Sequence, residues 1–374
     1  MSMGLPGLHG YTYSYKKAQG ARETNRLLSI RLETSLSCNL KCIYCCNKSG
    51  KALEDELPYL KLTNIIDEAY ELGAESIVVI GGGEPTIYPH FRELITYIFE
   101  KNLVPVIFTN TTTMTDELAS FLFLHNVTVI TKMDSLLAQR QDELAGVPGT
   151  FERIQKGLKA LKKAGYFDAR RDGMLKMGAS FVVNKTNSGE IPDIWRFCRE
   201  NTIYPNLEMM IPNGEAEEMQ DDLLSAREWR ELKEGLHSID KNEFEITWPQ
   251  HITFCNGCRQ MLYNLYITVK GNVRPCSSVH LERYGISLNV NTMALRDILK
   301  TELFRKIRHI EKHVTGKCGA CVHNPSCYGC RAMAFAYGYK SGLDLNSALA
   351  SEDPSCDYFA QKNNDEDRIE IDCI

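Results

Sequence analysis

The sequence predicts an α/β fold built on a parallel sheet and followed by a smaller cysteine-rich part. Three observations carry that prediction. Strand and helix patterns alternate through the first two thirds of the chain; cysteine-rich and glycine-rich loops directly follow the first two strands; and beyond about residue 240 the alternation stops and cysteines take over.

The elements follow in order. "LLSIRLET" (27–34), "ESIVVI" (75–80), "VPVIFT" (104–109) and "VTVITK" (127–132) read as four strands, and "MGASFVV" and "LEMMI" bring the series to six. Helical stretches separate them. In "TFERIQKGLKALKKAG" the residues Phe151, Ile154, Leu158 and Leu161 share one face, and Gly165 supplies the stop. Alternating β and α units imply parallel strands whose carboxyl ends form the ligand-binding rim. The organisation expected is an N-terminal extension over 1–27, the α/β part over 28–240, a cysteine-rich domain over 241–360 and an acidic tail over 361–374.

Composition narrows the class. The 374 residues hold 43 basic and 48 acidic side chains with no basic stripe, which argues against a nucleic-acid partner. No apolar run approaches the roughly 18 residues of a membrane span, and the N-terminus lacks a signal-peptide centre, so no membrane partner and a cytoplasmic location are expected. Fourteen cysteines in a reducing compartment point to metal or redox chemistry rather than disulfides.

"CNLKCIYC" follows the first strand and holds Cys38, Cys42 and Cys45. Structural zinc wants four ligands, whereas a 4Fe-4S cluster on three thiolates leaves one iron open to a small molecule. "GGGEP", following the second strand, offers Gly81, Gly82 and Gly83 for close backbone approach, Glu84 as an acceptor for an ammonium, and Pro85.

The C-x3-C-x2-C trio with Tyr44 before its last cysteine resembles the signature of radical S-adenosylmethionine (AdoMet) enzymes, and "GGGEP" resembles that family's motif for the AdoMet amino group. The resemblance implies a partial (β/α)6 barrel, AdoMet chelated to the open iron, and a 5'-deoxyadenosyl radical that abstracts a substrate hydrogen. It implies reduction by a flavodoxin- or ferredoxin-type donor and places Tyr44 near the adenine. Where relatives often carry a serine, Lys132 stands as a candidate for the AdoMet carboxylate or for an ion pair with Asp134 or Glu33. Asn110 and Ser180 are candidate ribose or substrate contacts. Glu208 is a candidate base, or a carboxylate satisfied by a neighbouring lysine.

The second cysteine field runs "CNGCRQMLYNLYITVKGNVRPC", "CGACVHNPSCYGC" and "DPSCDYF". Taken alone, its C-x2-C pairs leave a pair of zinc ribbons open as an alternative to iron. Together with the trio they resemble the SPASM extension, with a last gap of two residues where three is usual. That resemblance implies two fully ligated auxiliary 4Fe-4S clusters, one on Cys255, Cys258, Cys276 and Cys330 and one on Cys318, Cys321, Cys327 and Cys356, for three clusters in all. Cys46 and Cys198 are expected to be buried inert thiols, and Cys373 has no assigned role.

Fully ligated clusters carry electrons, which suits a net two-electron oxidation, and the SPASM resemblance implies a peptide or protein side chain as the substrate to be oxidised or crosslinked. Anaerobic sulfatase-maturating enzymes share the layout, yet they carry an aspartate after the cysteine matching Cys276, where this chain has Ser277 and Ser278. About 27 residues precede the first strand, too few for a leader-binding domain, so a small polar substrate such as a sugar, aminocyclitol or nucleoside is the competing expectation. A non-catalytic iron-sulfur carrier would explain the cysteines but not "GGGEP".

Overall fold

A computed structural model describes residues 6–248 and 258–357. Cys255, Cys373 and the acidic tail lie outside the described residues. Six parallel strands stand side by side in chain order: β1 (Ser29–Leu32), β2 (Ser76–Val79), β3 (Val104–Thr109), β4 (Thr128–Lys132), β5 (Met177–Val183) and β6 (Tyr204–Met209). The last begins three residues before the sequence pattern suggested. Its inward positions, Tyr204, Asn206 and Glu208, are polar and hide the period. The register runs Ile30 beside Ile77, Ile107 beside Val129 and Ser180 beside Asn206.

Helix α1 (Tyr15–Glu23) precedes β1, and helices fill the crossovers: α2 (Tyr59–Glu71), α3 (Phe91–Glu100), α4 (Asp116–Leu124), α5 (Ala138–Ala145), α6 (Thr150–Lys163), α7 (Ile191–Glu200) and α8 (Ala226–Glu243). On α6 the apolar stripe Ile154, Leu158 and Leu161 is buried, and Gly165 follows with φ +97°. Outward strand residues such as Ile77, Val79, Ile107 and Val129 join the large core beneath the helices, while Val78, Val106 and Ile130 face inward. Burial on both faces is what a parallel sheet between helices requires.

The N-terminal segment closes the floor of that interior. Leu8, with no exposed surface, packs among Val78, Val106, Ile130 and Leu175, and its neighbour His9 donates to Leu175 O at 2.9 Å. Burying such a leucine is worth about 1.5–3 kcal/mol. Tyr11 accepts from the buried Arg31 guanidinium at 2.8 Å.

The cysteine-rich part shares the same sheet. Strand β7 (Asn264–Ile267) pairs parallel with β1, and β8 (Val273–Arg274) pairs antiparallel with β7. Beyond them lie short helices, then α9 (Arg331–Lys340) packed on α10 (Leu345–Ala350). Among the described residues no helix is long and apolar enough to cross a membrane.

Candidate active site and cluster sites

The trio occupies the loop leaving β1 at the carboxyl rim. Backbone bonds hold that loop from several sides: Cys38 N–H donates to Gly50 O (3.1 Å), Lys41 N–H to Ala145 O (3.0 Å) and Ile43 N–H to Leu144 O (3.1 Å), while Cys45 O accepts from Glu215 N–H (2.8 Å). Glycine is needed where these segments touch. A Cβ on Gly146 would lie 2.1 Å from Lys41 O, and one on Gly214 would lie 2.4 Å from Cys45 O; both residues have φ +65°.

The glycines of "GGGEP" serve the same contact. A Cβ on Gly82 would lie 2.8 Å from Ser35 O and one on Gly83 1.8 Å from Ser37 O, and Gly83 N–H donates to Ser35 O (2.7 Å). The close approach expected toward a ligand is made toward the cysteine loop itself. Gly81, by contrast, faces Gly83 O within its own turn, and Pro85 starts a short 3-10 turn.

Glu84 is buried and held by four donors. Oε1 accepts from Thr86 N–H (3.1 Å), the Thr86 hydroxyl (2.6 Å) and the Thr109 hydroxyl (2.7 Å), and Oε2 accepts from Asn110 N–H (2.7 Å). Burial raises its carboxyl above the usual range, and these bonds pull it back. Among the described residues Oε2 has one donor, so it keeps a lone pair that could accept from a ligand ammonium. Asn110 donates to Asn39 of the cysteine loop at 2.7 Å and accepts from Thr112, so its amide latches two rim loops together.

Tyr44, Asp134 and Lys132 form a second unit. The Tyr44 hydroxyl donates to Asp134 Oδ2, Val182 N–H donates to Oδ1 (2.8 Å), and Lys132 Nζ donates to Oδ1 (2.9 Å) while lying 5.2 Å from the Tyr44 ring centroid. Of the partners considered for Lys132, Asp134 takes it and Glu33 does not. Ser180 is linked through Asn206 (3.3 Å) to Glu208, which accepts the other contact at 2.8 Å. The neighbour satisfying Glu208 is thus an asparagine rather than the expected lysine, because Lys132 turns to the fully buried Asp134.

A cavity of about 360 Å³ opens between this rim and the cysteine-rich part, lined among others by Glu33, Cys46, Lys48, Arg274, His280 and Arg283. Sequence reasoning missed Arg274 and His280 and gave Glu33 only a pairing role. Glu33 falls two residues beyond Arg31 and so shares its inward phase, a signal that was available. Its carboxyl accepts from Tyr266 OH, Asn47 Nδ2 (2.9 Å) and Val269 N–H (2.8 Å), and burial pushes it up to about 7. His280 is held neutral, lowered to about 3 by burial beside Arg274 and Arg283, and its Nε2 has no partner among the described residues. Cys46 lines this cavity rather than the core, which corrects the expectation of a buried thiol; Cys198 is buried as expected.

The donor sets are groups of thiols, the ligands that iron-sulfur clusters take. Among the described residues no three Cys, His, Asp or Glu converge closely enough to hold one metal ion. The thiols nonetheless lie within electrostatic reach of each other. Burial pushes Cys38 up to about 11 and Cys42 up to about 12, with Cys45 adding to both, and Cys258 adds to the rise of Cys276 and Cys330. Thiols grouped in this way fit the ligand chemistry of an iron-sulfur cluster, which deprotonates them on binding.

Comparison with known proteins agrees. Residues 32–178 match the model of the radical SAM superfamily, and residues 258–322 match SPASM, the iron-sulfur cluster-binding domain. The chain belongs to the radical SAM superfamily and carries a SPASM domain. It is therefore an enzyme that uses AdoMet, and its two domains bind 4Fe-4S clusters. It is 25% identical to the AdoMet-dependent heme synthase of Methanosarcina barkeri over 90% of this chain and 97% of that one. It is 26% identical to the mycofactocin maturase MftC of Mycolicibacterium smegmatis, over 87% of this chain and 81% of that one. The fold matches Streptococcus suis SuiB bound to S-adenosylmethionine with a TM-score of 0.68, at 19% identity, covering 91% of this chain and 81% of that one. SuiB has also been seen bound to its precursor peptide SuiA.

Proposed function

We propose that this radical SAM enzyme oxidises or crosslinks a peptide or protein side chain in the cavity between barrel and SPASM domain. The observation that carries the reading is that cavity: Glu33 and Cys46 from the barrel rim meet Arg274, His280 and Arg283 from the SPASM side around one polar space. Its volume of about 360 Å³ suits a side chain with adjoining backbone. The likeness to MftC and the peptide-bound SuiB support it.

In this reading Cys38, Cys42 and Cys45 hold the catalytic cluster, while Cys255, Cys258, Cys276, Cys330 and Cys318, Cys321, Cys327, Cys356 hold two auxiliary clusters. When bound there, AdoMet and the cluster would supply the radical chemistry that removes a substrate hydrogen. The chain does the rest. Glu84 accepts the AdoMet ammonium with its remaining lone pair, and Lys132 has two N–H bonds beyond Asp134 to offer the AdoMet carboxylate. Tyr44 closes the pocket wall against Asp134, and Ser180 and Asn110 would contact the ribose or the substrate. His280 Nε2, an unpartnered acceptor, orients a substrate N–H or O–H, and Arg274 and Arg283 draw carboxylates. A flavodoxin- or ferredoxin-type protein delivers electrons.

A second reading has one specific support. The heme synthase likeness covers nearly both chains, and the basic cavity lining suits a small carboxylate-bearing substrate as well. Anaerobically reconstituted, reduced enzyme is supplied with AdoMet and deuterated candidates of both kinds, including any short peptide encoded beside its gene. Deuterium entering 5'-deoxyadenosine from a peptide, with matching hydrogen loss in its mass spectrum, supports the first reading. Transfer from the small carboxylates alone overturns it.

A further inference from the structure

Arg331 opens helix α9 directly after Cys330 and is 2% exposed. A cation at a helix N-terminus meets the positive end of the helix dipole, and burial takes away its water. An anion should answer both costs, yet among the described residues Arg331 pairs with no carboxylate. The adjacent Asp353 carboxylate is engaged elsewhere, accepting from Cys330 N–H (2.7 Å) and from Ser355 N–H (2.9 Å) and hydroxyl (2.6 Å).

What the guanidinium does meet is backbone and sulfur. Nη1 donates to Leu349 O (3.0 Å) and Ser351 O, and Nη2 donates to Cys318 Sγ (3.7 Å). The same sulfur accepts Asp353 N–H (3.3 Å), and Cys327 Sγ accepts Gly329 N–H (3.5 Å). Gly329 makes room for this arrangement. With φ +70°, its missing Cβ would stand 2.8 Å from Arg331 Nη2 and 2.9 Å from Cys318 Sγ.

We propose that Arg331 is the counter-charge of the second auxiliary cluster: it sets that cluster's reduction potential and ties the C-terminal end of α10, which leads to Cys356, against it. The inference rests on the reading that Cys318, Cys321, Cys327 and Cys356 hold a 4Fe-4S cluster. Reduction adds one electron to an assembly that is already negative, and a fixed cation beside a ligand sulfur favours the reduced form.

The test uses full-length, anaerobically reconstituted protein in a background where Cys38, Cys42 and Cys45 are alanine, so that only auxiliary clusters remain. Iron is counted, and each cluster is titrated potentiometrically with electron paramagnetic resonance. Arg331→Gln should keep its iron and move one of the two couples negative, by at least a tenfold change in the reduced-to-oxidised ratio at fixed potential, about 59 mV for one electron. Arg331→Lys should stay near the parent. An unmoved potential in an iron-replete Gln variant overturns the inference. Should that variant lose iron, Lys and Met variants decide: a couple shifted in Met but not in Lys supports the role of charge, and equal couples overturn it. The underlying reading fails separately, if Cys318→Ala loses no iron.

Discussion

Lys132 Nζ donates to Asp134 Oδ1 at 2.9 Å, and the carboxylate that receives it has no exposed surface. Asp134 also accepts from Tyr44 OH and Val182 N–H. Replacing it with alanine strands a cation and two donors at the edge of the cysteine loop. Asp134→Ala should cost about 3–5 kcal/mol, as loss of one partner from a buried pair does. Lys132→Met should cost less, about 1–3 kcal/mol, because Asp134 keeps its other donors. Denaturant unfolding of both variants checks this, and an Asp134→Ala protein within 1 kcal/mol of the parent would contradict it.

Glu84 has two separable roles. Glu84→Ala leaves Asn110 N–H and two threonine hydroxyls without their acceptor, an expected loss of about 1–3 kcal/mol in stability. It should also weaken AdoMet by about 1.5–3 kcal/mol, more than tenfold, through a lost charge-assisted bond. Equilibrium binding of AdoMet to the reconstituted variant separates the two. Lost stability with unchanged affinity would leave Glu84 a latch between rim loops and no more.

The strands were legible because their periods are strong, and the cysteine positions because metal chemistry demands particular spacings. What stayed hidden depends on long-range contact. Nothing near Leu8 in sequence announces that it closes the barrel floor against Val106 and Ile130, some hundred residues away. The pairing of β7 with β1 was equally out of reach: the cysteine-rich stretch surrounding "NLYI" reads as a separate domain, and only the assembled sheet joins Asn264–Ile267 to Ser29–Leu32. Gly82 and Gly83 were read as ligand-facing. Their neighbours across the gap, Ser35 O and Ser37 O, are backbone atoms whose position no side-chain pattern encodes.

That contact is itself testable. Gly83→Ala puts a methyl 1.8 Å from Ser37 O, so the cysteine loop must move. The variant should lose about four of about twelve irons, those of the catalytic cluster, and should form little 5'-deoxyadenosine. Gly20→Ala is the control: no atom of the described residues lies within 4 Å of its Cβ, and α1 should gain roughly 0.5–1 kcal/mol in helix propensity. Full iron content in Gly83→Ala would show that the loops are not locked together as described.

Glu33 gives stability a pH dependence with a definite sign. Its carboxyl is raised from 4.5 to about 7 in the folded chain, first by burial, with Glu282 adding and with Tyr266, Val269 N–H and Arg274 opposing. Below about pH 4.5 folded and unfolded chains both hold the proton, and the group makes no difference. From there to about 7 only the folded chain holds it, so the unfolded state binds fewer protons and stability falls as pH rises. The loss is complete above about 7 and on the order of 3 kcal/mol. Denaturant unfolding from about pH 5 to 8 should therefore show the parent losing stability relative to Glu33→Gln, whose amide cannot ionise and which keeps an acceptor for Tyr266. Cys46, which also faces this site, stays a neutral thiol across that range, so it adds no slope of its own. Parallel stability curves for parent and variant would mean that Glu33 is ionised throughout, held by Tyr266, Asn47 and Val269 as a fixed anion at the cavity wall.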